Sequence, residues 1–227
     1  MTAYETAASL PAVDELRRRC RALAVLDRIV GSDWPYYGYT ERWGDGAAGS
    51  MSNGSGDEWT IVFGPAGAFI RVFDHESNMS PYGNEDHEPW PGLLDGLPEV
   101  FRPQVEQPAF RDEEGTFVAT AVLWRQTGDS RWHAGDGIVF PRSRGPHDAG
   151  PDGTAMLDIL GDDIVDRYVA FAGEHYEVEV GRAAAAHVVA HRPVTDAVVR
   201  AINPAAAVAD LRDDLVAMNF PVPASAP

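Results

Sequence analysis

The chain has no lysine, a single cysteine and no long apolar run, and each absence removes a class of protein. One cysteine, Cys20, excludes an internal disulfide and any cysteine-built metal centre. Nothing approaches the roughly 18 consecutive apolar residues of a membrane helix, which argues against a membrane span. Met1 to Leu10 lacks the basic start and apolar stretch of a secretory signal, and with the missing disulfides this predicts a cytoplasmic protein. No phosphate-binding loop, dinucleotide fingerprint or kinase signature is present, so nucleotide-dependent chemistry has no support. Positive charge is scarce: 18 arginines stand against 35 acidic residues, for a formal charge of -17. A field of that sign repels phosphate backbones and anionic lipid and steers in basic partners. Nucleic-acid and membrane binding are therefore not expected, and a basic protein partner is; acidic surfaces also serve solubility alone.

What is present suits a globular fold. The 227 residues are 44% apolar, and a chain of this size buries about 70% of its unfolded surface. Val13, Leu16, Cys20, Leu23, Leu26 and Ile29 recur at spacings of three and four, which predicts an amphipathic helix stopped by Gly31. Aromatic-rich Tyr36 to Trp43 reads as a strand, 44–56 as a small-residue loop, and 58–76 as a hairpin. Residues 91–107 read as short helical pieces broken by Pro98 and Pro103, and 116–126 with 131–140 as a second hairpin. Asp162 is placed to cap a helix in which Ile164, Val165, Tyr168, Val169 and Ala172 share a face. Residues 183–191 are apolar all round and fit either a helix or a strand, and two helices follow on either side of Asn203-Pro204. Hairpins in the middle and helices at both ends predict an α+β fold built on a central antiparallel sheet, as one domain over 11–220 with flexible tails at 1–10 and 221–227.

The first hairpin carries the candidate site. A tight turn at Gly64-Pro65-Ala66-Gly67 pairs Phe63 with Ala68, Ile61 with Ile70 and Trp59 with Val72 on one face, the core face. One step further the ladder sets Asp57 against Asp74, with side chains about 4.5 to 5.5 Å apart. Glu76 follows on the same face, and alternation sends His75 to the other side with Arg71 and Phe73. Carboxylates converging at a core edge must bind a proton or a cation. Asp57, Asp74 and Glu76 are thus candidate metal ligands or acid–base groups, with His75 or His87 assisting, unless an arginine such as Arg42, Arg125 or Arg131 neutralises them. Residues 74–88 hold five acids and two histidines and no arginine; within and beside this loop Tyr82, Glu85, Asp86, His87, Glu88 and Trp90 are candidate binding residues.

Other patterns narrow the field. Asn84, Asp86 and Glu88 alternate like the start of a calcium loop, but Pro89 stands where glycine is required. His187 and His191 have the spacing that chelates zinc on a helix but lack the glutamate of a hydrolase signature; in a strand they would lie about 13 Å apart. Trp124-Arg125 and Arg131-Trp132 suggest a cation–π pair across the second hairpin.

The segment G-S-G-D-E-W at 54–59 followed by F-D-H-E-S-N-M-S-P-Y at 73–82 resembles an uncharacterised family of bacterial proteins over residues 34–140, a resemblance that implies no activity. In size, acidity and fold class the chain is also similar to immunity proteins of bacterial toxin systems. Two functions are expected on these grounds: an immunity-like domain recognising a basic partner, or a metal-dependent hydrolase using Asp57, Asp74 and Glu76. A structural or regulatory domain without a small-molecule site is a third.

Overall fold

Strand order follows chain order. A computed structural model describes residues 1–84, 86–141 and 150–223. In it β1 (Tyr37–Trp43), β2 (Gly46–Ser52), β3 (Glu58–Gly64), β4 (Gly67–Phe73), β5 (Ala121–Gln126) and β6 (His133–Ala134) lie in that sequence in one sheet. Helices stand at both ends of the chain, so the fold is α+β. By their internal contacts the residues group into two compact units, Met1–Val13 with Met51–Asp158 and Asp14–Ser50 with Ile159–Pro227, where the sequence reading has one domain over 11–220.

In the first unit, β3 and β4 pair antiparallel around the Pro65-Ala66 turn with Trp59 opposite Val72, Ile61 opposite Ile70 and Phe63 opposite Ala68, the register that the turn predicts. β5 pairs with β4, and β6 pairs with β5 over only two residues, so the second hairpin is much shorter than its sequence suggests. Every residue of β4 is buried. One face holds Ile70 and Val72; on the other, the segment 99–118, which contains the short α3 (Arg102–Val105), covers the strand, with Phe69 against Phe101 and the Arg71 guanidinium 5.4 Å from the Phe110 ring centre. Both faces are therefore core, and Arg71 and Phe73 are interior residues. The expected cation–π pair on the second hairpin is replaced by Trp124 stacked on His133, while the Trp132 indole donates to the Pro11 carbonyl.

Residues 3–9, expected in a flexible tail, form α1 (Ala3–Ser9). Its start is fixed by a capping box: Thr2 accepts from the Glu5 amide and the Glu5 carboxylate accepts from the Thr2 amide. The buried Asp152 carboxylate accepts from the Ala3 amide at 2.6 Å, and Tyr4 donates to the Gly135 carbonyl. Of the other tail, residues 224–227 lie outside the described residues.

In the second unit the expected stripe forms α2 (Val13–Val30), with Leu16, Cys20, Leu23, Leu26 and Ile29 buried. β2 occupies residues read from sequence as loop. At Gly49 a Cβ would lie 2.6 Å from the Cys20 Cβ, so α2 leaves no room for a side chain there, and the small-residue run 46–49 shows no alternating apolar pattern. α4 (Ile164–His175) buries Ile164, Tyr168 and Ala172, but Asp162 does not cap it; that carboxylate binds Arg19 instead. The undecided segment is a helix, α5 (Arg182–Val189), followed by α6 (Asp196–Ile202) and α7 (Val208–Ala217). The His187 and His191 imidazoles sit on the carbonyls of Pro193 and Arg18, each at 2.9 Å, and so hold chain turns in place. Among the described residues no helix is long and apolar enough to cross a membrane.

Candidate functional site

The β3–β4 ladder ends at Glu58 and Phe73, and the two chains leave it as tight turns stabilised by their own side chains. On one side Asn53 Oδ1 accepts from the amides of Ser55 and Asp57, closing residues 53–57 onto the strand. On the other, Asp74 Oδ1 accepts from the amides of Glu76 and Ser77, an Asx turn of the kind short polar side chains favour. Thr120 Oγ1 accepts from the Asp74 amide and donates to the carbonyl of Asp152. Gly153, at φ +74°, closes the back of the site: a Cβ there would lie 2.6 Å from that of Asp74.

This geometry brings Asp57, Asp74 and His75 together, with one ligand atom from each within 4.8 Å of the others. The meeting of the two aspartates is the one the register predicts. The third member differs: His75, expected on the far side, donates its backbone N–H to Asp57 Oδ1 at 3.0 Å and places Nδ1 2.7 Å from the same oxygen. Glu76, expected on the face of Asp74, is exposed and stands outside the group. The reason is that strand alternation stops where the Asx turn begins, so face assignments carried past Phe73 invert. Among the described residues the charged partner of Asp57 is His75 and not an arginine, and the Asn53 amide donates to it at 2.7 Å.

The two carboxyls are driven apart electrostatically. Burial works to raise Asp57, but the imidazole and amide of His75 and the side chain of Asn53 outweigh it and hold that carboxyl below its ordinary value. Burial pushes Asp74 up, against the pull of the Glu76 amide and with the help of the Asp57 charge. The hydrogen bond to Asp57 raises the exposed His75 imidazole above its ordinary value. A group raised in this way adds stability that is fully present below its unfolded pKa, near 6.5, and is lost as pH rises through the folded value. We expect the His75 ring, followed by NMR, to titrate above about 6.5 and to return toward that value in Asp57→Asn; an identical midpoint in both proteins would remove the Asp57–His75 coupling.

Beside this cluster lies a cavity of about 290 Å³. Its aromatic walls are Phe73, Tyr82 and Phe110, and Glu58, Asp112, Arg71 and Arg111 supply charge of both signs. Arg71, 2% exposed, is fixed by Val118 and Glu58: Nε donates to the Val118 carbonyl and Nη1 to Glu58 Oε1, both at 2.5 Å. Tyr82 is 53% exposed and meets Phe73 edge to face. Of the other predicted binding residues, Asp86, His87 and Glu88 are exposed and Trp90 is half-buried with its indole N–H on the Val139 carbonyl; Glu85 lies outside the described residues. Asn84 clips this loop by accepting from the Glu88 amide and donating to the Glu88 carbonyl, which holds His87 at φ 51°.

Among the described residues three buried charged side chains escape sequence reasoning: Arg71, Asp152 and Asp27. Signals existed for two. Arg71 interrupts the otherwise apolar run Ala68 to Phe73, and Asp27 occupies the apolar stripe of α2 four residues after Leu23 and three before Val30.

Comparison with protein-family models, curated proteins and solved structures returns no match to this chain.

Proposed function

We propose that the chain is an acidic binding protein whose first unit recognises a basic protein partner, as an immunity-like domain would, in the cytoplasm. The observation that carries this reading is the distribution of charge about the aromatic cavity. The first unit holds nineteen acidic residues against seven arginines. The lining itself is balanced, Glu58 and Asp112 against Arg71 and Arg111, and the segments that wall the cavity are continued by exposed Glu76, Asp86, Glu88, Glu113 and Glu114. A partly exposed tyrosine set among carboxylates is the anchor-and-rim arrangement of tight protein complexes: the aromatic supplies affinity, and the surrounding charge supplies attraction and selectivity. The test is retrieval of a stoichiometric partner from the native host, followed by affinity measurement with Tyr82→Ala. Loss of such an anchor, worth roughly 2 kcal/mol, weakens binding about 30-fold. Absence of any stoichiometric partner, or a partner bound equally by the variant, defeats the proposal.

The grouping of Asp57, Asp74 and His75 favours a second reading, a metal-dependent hydrolase in which these three residues hold the ion. Asp57 would join Asp74 and His75 on the ion by giving up its bonds to His75 and Asn53. Zinc added to the NMR sample described above then shifts the His75 ring signals in the native chain and not in Asp74→Asn; unshifted signals end this reading.

A further inference from the structure

The second unit contains a buried carboxylate that no cation balances. Asp27 on α2 is 1% exposed. Its Oδ1 accepts from the Tyr168 hydroxyl at 2.8 Å, and its Oδ2 accepts from the Tyr176 hydroxyl at 2.6 Å and the Tyr37 amide at 2.8 Å. All of these donors are neutral. They solvate the carboxylate without cancelling its charge, and among the described residues no arginine or histidine is paired with it. Burial accordingly pushes its carboxyl up, with the tyrosine hydroxyls and the Tyr37 amide opposing.

Asp27 also lines a cavity of about 230 Å³, with Ala24, Pro35, Tyr37, Tyr39 and Met218 among its walls. Arg28 and Asp214 line the same cavity and cancel one another, Arg28 Nε donating to Asp214 Oδ2 at 2.5 Å. The Asp27 carboxylate is the charge left unbalanced on that wall, and it defines what fits there. We propose that this cavity binds a small organic cation, a primary amine or a guanidine, with Asp27 as its counter-ion.

Three features argue for this ligand class. The volume lies below the roughly 300–1,000 Å³ of pockets that hold drug-sized molecules, so the occupant is small. The partners of the carboxylate are neutral donors that solvate its charge without cancelling it, and an ammonium or guanidinium would cancel it. The side chains of Tyr37, Pro35 and Met218 suit the hydrocarbon body of such a molecule, whereas the Tyr39 ring already carries the Arg21 guanidinium, 4.9 Å from its centre. A purely architectural role, joining α2, β1 and α4, accounts for the hydrogen bonds of Asp27 and makes no demand on what enters the cavity. The two readings therefore part experimentally.

The experiment is isothermal titration calorimetry of the full chain with n-butylamine, benzylamine and butylguanidine, against butanol and benzyl alcohol as neutral counterparts of similar shape. At least one cation is expected to bind with one-to-one saturation, and at least about tenfold tighter than its neutral counterpart. Binding is expected to vanish in Ala217→Trp, which fills the cavity from an exposed position of α7 and so leaves the fold intact, and in Asp27→Asn. Should Asp27→Asn fail to fold, Ala217→Trp decides by itself. The proposal is overturned if no cation saturates below about 10 mM, if the alcohols bind as well as the cations, or if Ala217→Trp binds like the native chain.

Discussion

Replacing Asp27 by alanine is expected to lower the free energy of unfolding by about 3–5 kcal/mol, one of the two largest effects of any single substitution discussed for this chain. The argument is one of hydrogen-bond accounting. The carboxylate is the acceptor for the Tyr168 hydroxyl, the Tyr176 hydroxyl and the Tyr37 amide. Tyr168 is fully buried and Tyr37 is nearly so, which leaves two donors with no access to water when the carboxylate is removed. Each buried donor left without an acceptor costs about 1–3 kcal/mol. Tyr176 is less enclosed and recovers part of its loss from solvent. The substitution also leaves a void where α2 faces α4, which adds to the loss. Asp27→Asn retains one acceptor oxygen and is expected to lose roughly half as much. Urea unfolding monitored by circular dichroism measures both, and an Asp27→Ala midpoint indistinguishable from that of the native chain would show that the tyrosines find other acceptors.

Arg71→Ala is expected to destabilise the first unit by about 3 kcal/mol and to weaken any partner bound at the aromatic cavity. The guanidinium lies over the rings of Phe73 and Phe110, at 5.7 and 5.4 Å from their centres. Its removal takes away packing on two aromatic faces as well as a charge. The Val118 carbonyl loses its guanidinium donor, whereas Glu58, 41% exposed at its side chain, rehydrates and contributes little to the loss. The effect therefore comes from packing and the buried carbonyl, and only slightly from the ion pair. Arg71→Lys separates these contributions. It keeps a positive charge near Glu58 but lacks the planar fork that reaches Val118 and Glu58 together, so it is expected to fall much nearer to alanine than to arginine. A lysine variant as stable as the native chain would assign the stabilisation to charge alone.

How legible the molecule was depended on how local the governing interaction is. The β3–β4 register could be read because turn length and a two-residue side-chain period fix it within a dozen residues, and the meeting of Asp57 with Asp74 follows from it. The role of His75 could not be read, because it depends on an Asx turn that begins at Asp74 and ends strand geometry there. β2 was hidden for a different reason. Gly49 answers to the steric demand of Cys20 on α2, and the run 46–49 carries no alternation of its own. α5 was ambiguous because an apolar segment of that length satisfies helix and strand equally well. α1 was missed although its capping pair, Thr2 and Glu5, is visible in the sequence.

The sequence by itself determined the acidic balance, the buried stripe of α2, the pairing of the first hairpin and the α+β class, all of which arise from composition or from periodicities that repeat within a few residues. Only the tertiary structure decided which partner each ionisable side chain takes. Asp27 is held by a tyrosine 141 positions away, and Arg71 by the Val118 carbonyl 47 positions away. A short-range pattern states which face a residue occupies; the free energy of burying a charge depends on what the rest of the fold brings to that face.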